Sequence, residues 1–596
     1  MKIRRHYLAI RRAFASINEH TPFEVTTQEL ADLLECTHRN MVILLKRMQQ
    51  EEWLAWEPKR GRGNRSSLSF LVSKEQIALL EAQEMVQKQD LRSALELLGG
   101  IDESTKLKDQ FQEWLSGQFG FHSEVQGKRR TDILRFPLPQ TIYSLDPAAI
   151  HFTGESHLVN QLFDGLVRID PKGEQILPQL AHAWEVDETR KRWNFYLRKG
   201  VLFHHGRELD SSDVKFSLER LRLLAPQGLY SWAYTDILSM DTPDDTTIRI
   251  ELAEPNEAFL AFLTTNRASI IPQDVCEAAG DRFAVQPVGT GPFRLIGQEQ
   301  GVWILEAFAS YFQGRAFLDR VEVWTVTEGS EREGSTELQP FQIMHNARLT
   351  DMAADRWQQV RQSGMTCKFI TVNEQKDGLL ANPAIRAAID HAIERRELLQ
   401  LLSGDVIEAV DSFWPEEEEK VRPNKASSQN FSDIKNELAA SGYRGETLVL
   451  ATIPQYEADA EMIQQVCALS GIPLEINLIP AEAFKGTDRM SADLLLFAIM
   501  LDEHRELRLI DLYKSMQQHA LPEIHHMLER SIRLILSEPE PKLRAAIFKE
   551  IENQLKERHS LLFLYRKHLK TAFHPSVRGI SLESLGWVRF KDIWFT

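Results

Sequence analysis

The sequence predicts a multidomain α/β protein headed by a winged helix-turn-helix, and three observations predict it. Across roughly the first seventy residues, amphipathic and turn-forming segments run helix, helix, tight turn, helix, hairpin, the order that builds a winged helix-turn-helix. Positive charge gathers in the same stretch: residues 1–72 carry 12 Lys and Arg against 8 Asp and Glu, whereas the remainder is net −20. Finally, 596 residues exceed what one hydrophobic core organises, so a prior of roughly three to four folding units applies.

Each leading element has its own warrant. Ile3, Tyr7, Ile10, Phe14 and Ile17 recur at spacings of three and four, which predicts a first amphipathic helix over Lys2 to Ile17. After Pro22, Thr26 or Thr27 supplies an N-cap for a short second helix, TTQELADLL, with Glu24 and Glu29 near its start. A connection through Glu35 and Cys36 leads to Thr37, an N-cap for HRNMVILLKRMQQ, in which Met41, Leu44, Leu45 and Met48 form the inward stripe. WLAW and LSFLV have strand composition, and PKRGRGNRSS between them carries the turn chemistry of a hairpin wing.

Residues 73–130 read as a helical connector, with helical stretches KEQIALLEAQEMVQKQDLRSALELL and STKLKDQFQEWLSGQF punctuated by Gly99 and Gly100. From about residue 131, strand and helix patterns alternate to the end of the chain, which implies mixed α/β architecture.

Composition and motif absences narrow the function classes. Hydrophobic residues at 43% and charged residues at 26% fit a packed globular protein and not a disordered or fibrous one. The basic start reaches Arg11 and Arg12 before an apolar run of signal-peptide length, and no stretch of about 18 apolar residues occurs after it. The expected compartment is therefore the cytoplasm, without membrane association. Cys36, Cys276, Cys367 and Cys467 lie too far apart for a zinc ribbon and read as buried thiols. The adjacent pairs His204-His205 and His525-His526 diverge on any regular element, so no metal is expected. Gly289-Thr-Gly-Pro-Phe lacks the Lys and Ser/Thr of a P-loop, and no nucleophile elbow or H-E-x-x-H helix occurs. No cofactor, no catalytic residue and no enzyme activity are expected.

The segment from Pro178 to Leu221 resembles the signature of family 5 extracellular solute-binding proteins, the oligopeptide- and nickel-binding type. Trp184, Phe195, Leu197, Arg198, Gly200, Val201, Phe203, His204, Gly206, Asp213, Val214, Ser217 and Arg220 stand at its positions. LDPAAIHFTGESHLVNQLFDGLVRID from Leu145, VGTGPFRL from Val288 and NPAIRAAIDHAIERREL from Asn382 agree with it. Together with CTHRNMVILLKRM, WLAW and GRGNRSS in the leading module, the chain resembles the SgrR-type regulators, which respond to sugar-phosphate stress during sugar uptake.

The resemblance implies a fold of three parts: a winged helix-turn-helix over 1–72, the connector over 73–130, and a two-lobed periplasmic-binding-protein-like domain of class II. Lobe I is expected at 131–372, lobe II at 373–566, and a return to lobe I at 567–596. Closure of two lobes over a solute would be the switch, and it requires the solute to favour one arrangement over the other.

Site residues follow from these frames. On the third helix Arg39 and Asn40 are the candidates for base edges, with His38, Lys46 and Arg47 at base or phosphate; Arg60, Arg62, Asn64 and Arg65 of the wing would reach phosphates or the minor groove of double-stranded DNA. The alternative is a solvated basic face used for protein contacts. For the small-molecule ligand, whether sugar phosphate, peptide or related solute, Tyr230, Trp232 and Trp414 offer stacking surfaces, with core packing as the ordinary fate of such aromatics. Arg386 offers a phosphate clamp, with a structural helix-start role as the alternative. Asp502 resembles in position the acid with which peptide-binding relatives hold an ammonium, a plain solvated acid being its alternative. Glycines 200, 206, 289 and 291, with Asp213, read as scaffold. The leading function is a ligand-responsive transcriptional regulator for transport or sugar-phosphate-stress genes. The competing one is the binding component of an ABC transporter. The sequence leaves the oligomeric state open.

Overall fold

The structure, a computed structural model, describes residues 2–59, 65–88, 90–99, 107, 110–111, 114–115, 117–138, 141–150, 152–170, 175–226, 228–299, 301–325, 343–345, 358–376, 378–393, 398–399, 407–414, 431–480, 483–484, 486–573, 576–581 and 587–595. The chain divides into two compact units. One comprises Met1–Thr141, Leu295–Glu306 and Leu318–Gln342; the other Ile142–Arg294, Ala307–Phe317 and Ile343–Thr596.

The first unit opens with the winged helix. Helices α1 (Lys2–Ala13), α2 (Thr27–Leu33) and α3 (His38–Gln50) are joined by strands β1 (Phe23–Val25), β2 (Leu54–Glu57) and β3 (Ser66–Phe70), paired antiparallel in the order β1-β3-β2. Helix α1 stops at Ala13, short of the expected Ile17, and β1 adds an edge that the sequence pattern did not suggest. Caps fix the two later helices. Thr26 Oγ1 accepts from Glu29 N at 3.1 Å while Glu29 Oε2 accepts from Thr26 N at 2.8 Å, a reciprocal capping box. Thr37 Oγ1 accepts from Asn40 N at 3.3 Å. Between these helices Glu35 takes a left-handed conformation at φ 48°, and Cys36 N donates to Ala31 O at 2.9 Å, which closes the tight turn. Tyr7 sits fully buried at the centre of the module core, edge-on to Trp53 and Phe70, and its hydroxyl donates to Val72 O at 2.5 Å.

Helix α4 (Lys74–Gln87) binds this module to the rest of the first unit. Its fully buried Glu81 accepts from Arg5 Nε at 3.2 Å, and Arg4 pairs with Glu84. The apolar side of α4 packs with helix α5 (Leu91–Gly99), with Phe111 and Leu115, and with Val302 and Trp324 of a β-sheet. The sheet is where the connector departs from expectation. Residues 120–130 form a hairpin, not a helix: β4 (Gly120–Gln126) pairs antiparallel with β5 (Arg129–Leu138). Strand β5 in turn pairs parallel with Arg320–Thr325, and the order runs on through Val302–Ala307 to Phe293–Glu299. The expected lobe I is thus divided between the two units.

Among the described residues, the second unit contains a four-stranded antiparallel sheet ordered Ile237–Asp244, Thr247–Leu252, Arg192–Leu197, Ala181–Val186. It also holds a seven-stranded mixed sheet in which the long strands Gln358–Val372 and Leu561–Phe573 run antiparallel. The Lys-Gly-Val and Phe-His-x-Gly turns lie beside the first sheet and are scaffold. Gly200 and Gly206 adopt φ of 76° and 97°, a region open to glycine at no steric cost. His204 joins this turn to the 288–291 loop: its Nδ1 accepts from Gly289 N at 3.2 Å, and its Nε2 lies 3.0 Å from Gly291 O. Asp213 closes a capping box with Asp210 at the start of helix Ser211–Leu224 and takes both terminal nitrogens of Arg207. Cys276, Cys367 and Cys467 are buried, whereas Cys36 is half-buried, less enclosed than expected.

Candidate functional site

Helix α3 has two faces. Met41, Leu45 and Met48 are buried in the module core. Arg39, Asn40, Lys46 and Arg47 are exposed on the other side, and His38 is exposed at the first position of the helix. The module's cations divide by role. Arg4 and Arg5 are taken up by α4, Arg11 pairs with Glu19 at 2.5 Å, and on the wing flanks Lys59 pairs with Glu24 and Arg65 with Glu29. None of the ion pairs among the described residues involves Arg39, Lys46 or Arg47. A cation that pairs within the fold is largely neutralised, so α3 keeps a group of unneutralised cations on its outer face, with Arg12 of α1 exposed and likewise outside those pairs. Arg60, Arg62 and Asn64 lie outside the described residues. Arg65 is described, and its 3.4 Å contact to Glu29 is an exposed pair of little energetic weight.

In the second unit, the structure gathers four of the five expected ligand residues near the start of helix Arg505–Met516. Tyr230 N donates to Asp511 Oδ1 of that helix at 3.2 Å, and Trp232 follows in the short helix Ser231–Tyr234. Asp502 and Arg505 lead into the helix, and the Arg505 guanidinium lies 4.1 Å from the centre of the Trp414 ring. The environments differ from those expected, however. Tyr230, Trp232 and Trp414 are 3%, 7% and 5% exposed and belong to the main hydrophobic core, so they do not offer an open stacking face. Asp502 is not a solvated acid. It is buried, and Arg508 grips it with two guanidinium nitrogens. Burial pushes the Asp502 carboxyl up, but Arg508 and His504 outweigh this and hold it below the usual range. Its charge is thus already matched from within the fold.

Arg386 stands apart and is structural. Its Nε donates to Arg558 O at 3.0 Å, its Nη1 to Leu380 O at 2.9 Å, and Glu374 lies 3.5 Å away. A guanidinium so occupied has no fork left for a phosphate. Sequence reasoning missed Arg505 and Arg508, whose partners precede the helix and so obey no periodic spacing. The indole N–H groups of Trp232 and Trp414 are buried without an acceptor among the described residues, as are those of Trp193, Trp324 and Trp587. Those residues also hold no cluster of three metal-ligating side chains, and no helix among them is long and apolar enough to cross a membrane.

Fold and charged face together define a class, a transcription regulator that carries a solute-binding sensor domain. Comparison with known proteins gives its family. Residues 175–515 match the model for bacterial extracellular solute-binding proteins, family 5, and residues 2–121 match the N-terminal model of the sugar transport-related sRNA regulator. The uncharacterized protein YhjP of Bacillus subtilis is 30% identical over the full length of both chains. The HTH-type transcriptional regulator SgrR of Yersinia enterocolitica is 29% identical over 96% of each. The chain belongs to the SgrR-type family of regulators. Among solved structures, the peptide-bound periplasmic binding protein DppA of Helicobacter pylori matches 78% of this chain and 98% of its own, at 21% identity and TM-score 0.66. NikA of Brucella suis, in complex with Fe(III)-EDTA, matches 78% and 100%, at 18% identity and TM-score 0.67. These two show the family 5 fold.

Proposed function

We infer that this regulator binds double-stranded DNA in the cytoplasm through α3, and that a small solute bound by the family 5 domain sets its activity. One observation carries the DNA assignment: Arg39, Lys46 and Arg47 face solvent together on α3, outside the internal ion pairs that take up Arg4, Arg5, Arg11, Lys59 and Arg65. Arg39 and Asn40, near the helix start, suit guanine and adenine edges, and Lys46 and Arg47 suit phosphates. The name of the matching N-terminal family model points to sugar transport, so the proposed targets are genes for uptake of a sugar or for the stress its phosphate causes. For the ligand, the sugar-transport name of the matching N-terminal family model favours a sugar phosphate over a peptide. Binding and conformational change need no catalytic group, and we assign the chain no enzyme activity.

Chromatin capture of the wild type beside the Arg39→Ala, Arg47→Ala variant tests the DNA assignment. Site-specific enrichment is expected for the wild type and lost in the variant; equal enrichment for both would remove α3 as the reader. Thermal-shift titration with sugar phosphates and with short peptides tests the sensor, because a solute that binds the folded form raises Tm.

A further inference from the structure

Eight residues of α3 are exposed, and seven of them are polar or charged. The eighth is Ile43, 55% exposed. Its place on the helix is central. At about 100° per residue, Arg39 and Arg47 fall about 40° to either side of it, and Asn40 and Lys46 about 60°. Met41, Leu45 and Met48 lie on the opposite side, buried in the module core. Ile43 is therefore the midpoint of the outward stripe and takes no part in holding α3 to the fold.

A solitary exposed apolar side chain is common on protein surfaces; the position of this one is what matters. When the stripe enters the major groove, its flanking cations and Asn40 meet phosphates and base edges, and its midpoint faces the groove floor. An isoleucine there can accept or donate no hydrogen bond. The groove floor offers it one apolar group, the C5 methyl of thymine. Any other base would leave Ile43 against a polar edge, removing water from that edge and returning no bond to it. We propose that Ile43 is a specificity-determining residue of the reader, selecting thymine at one base step through its 5-methyl group. The proposal rests on the assignment of α3 to the major groove and adds to it a chemical preference at a defined place.

Uracil provides the test, because it lacks the 5-methyl group and otherwise keeps the pairing and the groove-edge acceptor of thymine. The full-length protein selects its preferred sequence from a random duplex library. Duplexes of that sequence, with each thymine replaced in turn by deoxyuridine, are then titrated with the wild type and with Ile43→Ala. The exposed position and the high helix propensity of alanine predict an unchanged Tm for the variant, which thermal unfolding checks.

For the wild type, deoxyuridine at one or two positions should weaken binding about three- to fivefold, the worth of one buried methyl group. Ile43→Ala should bind the thymine and deoxyuridine duplexes there equally. Uracil sensitivity that persists in Ile43→Ala, or that is absent from the wild type, would overturn the proposal and leave α3 as the reader. Failure of the wild type to enrich any sequence would overturn the reader assignment, and this proposal with it.

Discussion

Arg508 holds Asp502 through two nitrogens, Nε on Oδ1 at 3.0 Å and Nη2 on Oδ2 at 2.6 Å, and the Asp502 side chain has no solvent exposure. His504 N donates to the same Oδ1 at 3.0 Å. The carboxylate is satisfied by groups within six residues of itself. A peptide ammonium would have to displace a guanidinium that is already bidentate.

The pair therefore behaves as structure, with a measurable asymmetry. Arg508→Leu leaves a buried, unmatched carboxylate and should cost about 3–5 kcal/mol. Joint replacement, Asp502→Leu with Arg508→Leu, removes both charges and should recover most of that loss. Urea denaturation of the two variants decides the matter. A double variant as unstable as Arg508→Leu would mean that the loss lies in packing and not in the unpaired charge.

The glycines of the 288–291 loop serve close approach. Gly291 N donates to Leu162 O at 2.9 Å, which draws the loop onto the end of helix Thr153–Leu162. A Cβ on Gly289 would overlap Leu162 O, and one on Gly291 would lie 2.6 Å from Gln161 O and overlap the Leu162 carbonyl carbon. Those obstacles are backbone atoms and cannot rotate away. Gly200 differs: its φ is 76°, and nothing lies within 4 Å of an added Cβ. Gly200→Ala should thus cost only the left-handed backbone penalty, about 1–2 kcal/mol. Gly289→Ala and Gly291→Ala must shift a helix end and should cost more, upwards of about 3 kcal/mol. Thermal unfolding of the three variants should rank them in that order.

These cases show which features can be read from the sequence and which cannot. Helices α2 and α3 are legible because their signals are local: Thr26 and Thr37 cap within three residues, and the Met41, Leu45, Met48 stripe repeats at helical spacing. The glycines of the 288–291 loop are legible as scaffold, but their reason, the backbone of residues 161–162, is remote in sequence. Strand β4 falls inside the segment expected to be helical. GFHSEVQ has no strict alternation, and Val125 stays 69% exposed, so only its pairing with β5 makes it a strand. The environments of the ligand candidates are illegible for a similar reason. Nothing near Asp502 marks it as buried, although its partner Arg508 is only six residues away, and nothing near Arg386 announces Arg558 O, because the burial of the first and the partner of the second are supplied by distant segments.

Acid should destabilise the second unit through its buried histidines. His504, with Nε2 2.8 Å from Thr264 Oγ1, and His204 are both pushed down to about 4, and His519 to about 3, each chiefly by burial. The folded state therefore keeps these rings neutral where the unfolded chain, with histidines near 6.5, takes up protons. Above pH 6.5 neither state is protonated and these rings add no pH dependence. Between pH 6.5 and about 4 the unfolded state gains protons that the folded state refuses, so stability falls, by about 3 kcal/mol for a ring shifted this far. Buried Asp164 and Glu552 are pushed up and oppose the trend, so the histidine contribution is best read by difference. His504→Gln keeps a polar group beside Thr264 and cannot titrate. Its Tm deficit relative to the wild type should shrink as pH is lowered from 7.5 to 5, as the wild type loses stability that the variant keeps. A deficit constant over that range would mean that His504 is not held neutral by the fold.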